Sequence, residues 1–228
     1  MKVTQNVQPA KMRRKILILD DHTMTRYGLS QLIQHQPDLQ VYKEATNVRQ
    51  ALAALKPPLP DLILTDITMP GKSGLEFIKD LQTQYPTLPV LVLSMHDETI
   101  FAERVLRAGA RGYIMKSEGG EKLLEAIRRV LKGEFYISDR VSANILGSLS
   151  KNHSNTKRSK LSAISDREFE VFWLLSQGLP TDEISQRLCI SGKTVETHRR
   201  HIRDKLKLQS GAEVRKFAVR WGATQEMI

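Results

Sequence analysis

Five short runs rich in apolar residues, at 15–19, 39–45, 62–66, 90–94 and 112–115, alternate along the chain with segments whose apolar residues recur every three or four positions. Runs without polar alternation are buried on both faces, and the intervening periodic segments, at 25–34, 48–55, 73–84, 98–108 and 121–131, have helical spacing. This pattern predicts five strand–helix pairs: a parallel sheet, doubly wound because such crossovers are right-handed. Ser73 is the expected N-cap of the third helix, and Pro86 lies beyond its end.

Several of the predicted strands end on a reactive side chain. The first leads into Asp20-Asp21, the third ends on Asp66 before Met69-Pro70-Gly71, the fourth ends on Ser94 and the fifth leads into Lys116. In an open α/β sheet the carboxyl ends of the strands are where ligands bind. Three acids there repel one another unless a cation sits among them, which suits Mg²⁺, a hard ion with oxygen ligands. A carboxylate can act as a nucleophile toward a phosphoryl group, with the metal and an amine spreading the charge on the transferring oxygens. Asp66, beside its turn, is the expected nucleophile. The Asp20-Asp21 pair reads as metal ligation, Ser94 as a hydroxyl donor and Lys116 as a fixed positive charge.

Beyond 132 the pattern loosens, and the stretch 148–162, rich in Ser, Asn, Lys and Arg, reads as a linker. Four helical segments follow, at 166–177, 181–189, 191–206 and 212–219. The second and third, joined by a tight turn with Ile184, Leu188, Ile190 and Val195 packed between them, have helix-turn-helix spacing. The third carries Lys193, Arg199, Arg200, Arg203, Lys205 and Lys207 with His198 and His201, against only Glu196 and Asp204.

The formal charge of the whole chain is +10. Residues 1–150 carry 20 Lys and Arg against 16 Asp and Glu, and residues 151–228 carry 15 against 9, so a polyanionic partner belongs to the C-terminal part. No aromatic residues interleave with the basic helix, which favours duplex over single-stranded nucleic acid. The single cysteine, Cys189, excludes an internal disulfide and is expected as a small buried group. No apolar run approaches the ~20 residues of a membrane helix. The reading is therefore a cytoplasmic protein without membrane attachment and with a disordered leader.

Asp20-Asp21, Asp66 with Met69-Pro70-Gly71 and Gly74, Ser94, and Tyr113 with Lys116 resemble the receiver domain of two-component response regulators. The run from Ile164 to Leu208 resembles the LuxR-type DNA-binding domain. Together they are similar to the NarL/FixJ subfamily, with a leader at 1–12, a receiver at 13–132, a linker at 133–163 and a helix-turn-helix domain at 164–228. The resemblance implies a flavodoxin-like (βα)5 fold with sheet order 2-1-3-4-5 followed by an all-α domain of four helices. It further implies phosphorylation of Asp66 by a sensor histidine kinase and Mg²⁺ held by Asp20, Asp21, Asp66 and the Thr68 backbone carbonyl. A hydroxyl/aromatic switch would be carried by Ser94 and Tyr113, with Thr68 and His96 tuning hydrolysis of the phosphoryl group.

By the same pattern Lys193, Thr194, Val195, Glu196, His198, Arg199 and Arg203 face DNA: Lys193, His198 and Arg199 toward phosphates, Thr194, Val195 and Glu196 nearest the bases. The expected protein is a homodimeric transcription regulator when phosphorylated and not an enzyme beyond its own phosphoryl transfer and loss. A regulator controlled by protein contacts without phosphate is the alternative. A phosphotransferase or phosphatase is disfavoured because no substrate motif or general acid follows Asp66. Two departures stand out. Gly192 replaces the usual polar residue and is expected to loosen the first helical turn. Phe169 and Trp173 lie four apart where the family carries polar residues, as either a widened core or a docking patch for the receiver or a partner.

Overall fold

The computed structural model describes residues 12–69, 73–150 and 160–225. Most of the leader, the Pro70-Gly71 turn and the central part of the linker therefore lie outside the described residues. Strands β1 (Arg14–Leu19), β2 (Leu39–Ala45), β3 (Leu62–Thr65), β4 (Val90–Ser94) and β5 (Gly112–Met115) form one parallel sheet in the order β2-β1-β3-β4-β5. This is the expected flavodoxin-like order, with β3 at the centre and every residue of it buried.

Alternation along the strands decides which helices cover each face. Ile16, Ile18, Leu62, Leu64, Leu91 and Leu93 pack against α1 (Thr23–Gln34) and α5 (Gly120–Leu131) through Leu29, Ile33, Leu123 and Ile127. Leu17, Leu19, Ile63, Val90 and Val92 pack on the other face against α2 (Val48–Ala54), α3 (Gly74–Gln84) and α4 (Glu98–Ala108). A period of two thus converts each apolar run into two covered surfaces.

Ser73 caps α3 as expected, accepting a hydrogen bond from Leu75 N. Directly after it, Gly74 lies so close to the chain leaving β3 that a Cβ there would fall 2.5 Å from Ile67 Cα. Only glycine lets α3 begin this near the end of β3, and that closeness holds the Asp66 segment against the sheet.

The stretch expected as a linker from 133 to 163 is more ordered than its composition indicates. Tyr136 forms a parallel bridge with Gly112, and α6 (Asp139–Ser150) packs on α4, with Val141 buried and Ser138 hydrogen-bonded to Glu98. Its apolar contribution is a short stripe, Val141 and Ile145, too sparse to read as a helix among serines.

The C-terminal domain consists of α7 (Asp166–Ser176), α8 (Thr181–Leu188), α9 (Gly192–Leu206) and α10 (Gly211–Gln225), four helices as expected, the last extending further than 219. A capping box starts α7: Glu168 N donates to Ser165 Oγ, and Ser165 N donates to the Glu168 carboxylate. Ser191 caps α9, so Gly192 occupies a held first turn rather than a loose one. Cys189, expected to be buried, is exposed at the left-handed C-cap of α8, with φ 50°. Val171, Phe172, Leu175, Ile184, Leu188, Val195, Ile202 and Leu206 form the core of the domain. That core is continuous with the α3–α4 side of the sheet.

Candidate acidic site and nucleic-acid interface

Asp66 follows the last residue of β3 and is 4% exposed. Its Oδ1 accepts a hydrogen bond from Thr68 N at 3.0 Å, and its Oδ2 accepts one from Lys116 Nζ at 2.6 Å. The same ammonium, delivered by β5, donates to Asp20 Oδ2 at 2.7 Å. One cation therefore joins the ends of β1, β3 and β5, as the strand-end reading requires. Burial raises the Asp66 pKa above the usual carboxylate value, against the opposing pull of Lys116 and the Thr68 amide. Burial disfavours the Lys116 charge, but the two carboxylates outweigh it and hold its pKa above the usual lysine value.

Asp20, Asp21 and His22 present ligand atoms within 4.8 Å of one another. His22 Nδ1 lies 2.9 Å from Asp21 Oδ1 and 3.2 Å from Asp20 Oδ1, and its hydrogen bond goes to Asp20. Asp21 Oδ1 is left buried with no hydrogen-bond donor among the described residues. Two adjacent carboxylates, one with an oxygen that accepts no hydrogen bond among the described residues and has only the His22 imidazole beside it, fit a hard divalent cation such as Mg²⁺. His22 was not among the sequence-derived ligands, and Asp66 joins this group only through Lys116. The position of the Thr68 carbonyl as a ligand remains an implication of the family pattern.

Ser94 and Tyr113 are both buried. Ser94 Oγ accepts from His96 N at 3.2 Å, and the Tyr113 hydroxyl donates to His96 O at 2.8 Å. Burial moves the Tyr113 phenol well above its usual pKa, so it stays a neutral donor. The two side chains expected as a switch thus meet on the backbone of His96. The imidazole of His96 also reaches Thr68, Nε2 lying 2.6 Å from Thr68 Oγ1. Burial, with the nearby Lys116 charge, lowers the His96 pKa to about 4, so the ring is uncharged at neutral pH.

Phe169 and Trp173 answer the two readings of their stripe by what they touch. Phe169 meets the receiver ring Phe101 edge-on at 5.4 Å, with the Arg104 guanidinium 4.1 Å from its centre. Trp173 meets Phe101 at 5.8 Å and His96 at 5.7 Å. Polar contacts surround these rings. Asp166 pairs with Lys79 at 2.5 Å and Arg104 at 3.0 Å, Arg104 donates to Leu161 O at 2.5 Å, and Ser73 is hydrogen-bonded to Glu170. Helix α7 is therefore docked against α3 and α4, while both rings also pack on Trp221 of α10, so the stripe widens the domain's core and meets the receiver at once. Residue spacing could reveal the stripe, but not Arg104 and Phe101, its partners 65 to 72 residues upstream.

On α9 the structure separates surface from support. Lys193 and Arg200 are exposed, and no ion pair engages them or Lys207 among the described residues. Thr194 is partly exposed, and its hydroxyl is paired with Ser191 Oγ at 2.8 Å. Arg199 donates to Glu196 Oε1 at 2.6 Å and to Thr181 Oγ1 at 3.2 Å, which ties α9 to α8 and offsets the Glu196 charge. Arg203 is paired with Asp204, and Lys205 with Glu168. One expectation is corrected: Val195, expected near the bases, is fully buried in the helical core. His198, expected as a phosphate contact, is half-buried, and burial and the Arg167 charge lower its pKa.

Sequence and structural relatives agree with this geometry. The response regulator receiver domain family matches residues 16–128, and the family of bacterial regulatory proteins of LuxR type matches residues 162–218. The oxygen regulatory protein NreC of Staphylococcus aureus (strain bovine RF122 / ET3-1) is 36% identical over 211 residues, covering 90% of this chain and 97% of the relative. A LuxR-family two-component response regulator from Aurantimonas sp. SI85-9A1 superimposes with a TM-score of 0.56 at 29% identity, over 61% of this chain and 99% of that one. RcsB from Salmonella enterica serovar Typhimurium, solved bound to a promoter in the presence of a phosphomimetic, shares the fold at 23% identity with a TM-score of 0.60, over 91% and 99% of the two chains. An acidic site at the ends of a five-stranded parallel sheet, a helix-turn-helix domain and relatives that align along both place the chain in the NarL/FixJ family of two-component response regulators, as a receiver joined to a LuxR-type DNA-binding domain.

Proposed function

We propose that Asp66 accepts a phosphoryl group from a sensor histidine kinase and that this event controls dimerisation and sequence-specific binding of duplex DNA to regulate transcription. The observation that carries the reading is the Lys116 ammonium held between Asp20 and Asp66, 2.7 and 2.6 Å from their carboxylates. In the reaction an Asp66 oxygen forms a bond to phosphorus as the bond to the kinase histidine breaks, and the histidine nitrogen leaves with the electron pair. Lys116 has only to turn from the carboxylates to the new phosphoryl oxygens, where its charge stabilises the transition state. The Thr68 amide holds the attacking carboxylate in place. Asp20, Asp21, Asp66 and the Thr68 carbonyl would hold Mg²⁺, which would neutralise charge on the phosphoryl oxygens.

Ser94 and Tyr113 report the change through their shared contact with the His96 backbone. Output passes to the exposed cations of α9, and the relative RcsB, solved on a promoter, supports a duplex target. The protein works in the cytoplasm, and its catalysis is confined to gain and loss of its own phosphoryl group. No helix among the described residues is long and apolar enough to cross a membrane.

The test compares operator-DNA affinity and dimerisation with and without beryllofluoride in the wild type and in Asp66→Asn. The mimic should raise both in the wild type and neither in the variant. Equal binding in all four samples rejects the phosphorylation switch.

A further inference from the structure

His96 is linked to the acidic site on one side and to the DNA-binding domain on the other. Its Nε2 is 2.6 Å from Thr68 Oγ1, and Thr68 N donates to Asp66 Oδ1 at 3.0 Å, so two hydrogen bonds separate the imidazole from the phosphoacceptor. Phe101 stacks on the ring at 4.8 Å, nearly parallel, and Trp173 of α7 closes against it at 5.7 Å, nearly perpendicular. The His96 backbone is held at both ends, N–H by Ser94 and carbonyl by Tyr113. With the main chain fixed, the side chain has one principal freedom left, rotation of the ring away from Thr68. Trp173 belongs to the other domain, and among the described residues its Nε1 is buried without a hydrogen-bond partner. Packing alone therefore holds the indole there, and the contact exists only while α7 is docked.

We propose that Trp173 is a positioning residue for hydrolysis of the phosphoryl group on Asp66: docking of α7 fixes His96 Nε2 on the Thr68 hydroxyl and withholds it from the attacking water. This rests on Asp66 being the phosphoacceptor. In the hydrolysis, the water oxygen bonds to phosphorus as the bond from phosphorus to the Asp66 oxygen breaks. The carboxylate leaves with the electron pair, and the water proton departs with inorganic phosphate. A free imidazole nitrogen within reach of that water accelerates the step by orienting it and accepting its hydrogen bond. The DNA-binding domain, while docked, then prolongs the life of the signal.

The experiment follows loss of the phosphoryl group in the full chain after loading with acetyl phosphate and Mg²⁺, in wild type, Trp173→Ala, Trp173→Phe, His96→Ala and the His96→Ala/Trp173→Ala double variant. Trp173→Ala should decay at least about fivefold faster than wild type, the lower end of an ordinary coupling between sites. Trp173→Phe, which keeps an aromatic edge, should remain near wild type, and the two variants lacking His96 should decay at one common rate. Trp173→Leu, which retains apolar bulk without a ring, gives the same reading if the alanine variant does not fold. Equal decay in wild type and both non-aromatic variants overturns the inference, as does an acceleration that persists without His96. Failure to load wild-type Asp66 at all overturns the phosphoacceptor reading and this inference together, whereas equal decay of loaded proteins overturns this inference alone.

Discussion

Lys205 Nζ reaches both carboxylate oxygens of Glu168, at 3.0 and 2.7 Å, and so ties the last turn of α9 to the capping box of α7. Burial alone would raise the Glu168 pKa, but Lys205 and the Ser165 N–H outweigh it and hold it below the ordinary 4.5. A depressed folded-state pKa adds stability that is fully present above the unfolded value and is lost as the pH falls through the folded one. Glu168→Gln keeps an acceptor for Ser165 but loses the charge, and should cost about 1 kcal/mol at neutral pH. Thermal scans of both proteins should show this gap at neutral pH and show it closing progressively below pH 4.5.

Gly74→Ala tests the junction of β3 and α3. The added Cβ would meet Ile67 Cα at 2.5 Å and Ile67 O at 2.7 Å, which are backbone atoms that cannot swing aside. The helix must move off the strand end, at a cost of about 2–3 kcal/mol. Asp66 lies one residue before Ile67, so phosphorylation by acetyl phosphate should slow together with the drop in midpoint on denaturation. A variant with unaltered stability would refute the close approach.

The sheet and the acidic site were legible because both follow from order along the chain. Apolar runs mark buried strands, and whatever residue ends a parallel strand is delivered to the same edge, so Asp20, Asp66, Ser94 and Lys116 converge whatever the loops do. Features that depend on tertiary neighbours were not. His22 stays exposed in the fold, and only its closeness to the Asp20 and Asp21 carboxylates marks it out. Helix α6 has too few apolar positions to declare itself and is ordered by α4. The stripe of Phe169 and Trp173 was visible as spacing, whereas its occupant was decided by Phe101, His96 and Arg104. Val195 could have been resolved from sequence: with Ile202 and Leu206 it falls seven and eleven positions along one helical face, a core signature incompatible with facing DNA.

Removal of the amine at the acidic site should have two opposite effects. In Lys116→Met the Asp20 and Asp66 oxygens, each within 2.7 Å of one nitrogen, face each other without a cation between them. Their repulsion makes a divalent ion more welcome, so Mg²⁺ should raise the melting temperature of the variant more than that of the wild type. Phosphorylation by acetyl phosphate should nonetheless fall by about a hundredfold, because a preorganised charge on the transferring oxygens is gone. A Mg²⁺ response no larger than that of the wild type would show that the two carboxylates do not share a cation.

Substitutions along α9 should separate into two kinds when operator binding is followed against salt. Lys193 and Arg200 are exposed and outside the ion pairs of the helix, so Lys193→Ala or Arg200→Ala should weaken binding and reduce the slope of log affinity against log salt by about 0.9 each. Arg199→Ala removes a charge already shared with Glu196 and should instead loosen the α8–α9 contact. Val195→Ala opens a cavity in the core, costs about 2 kcal/mol of stability and leaves the salt slope unchanged. Parallel titrations and unfolding curves distinguish the two kinds. A change in base preference in Val195→Ala at unaltered stability would return that residue to the DNA-reading face.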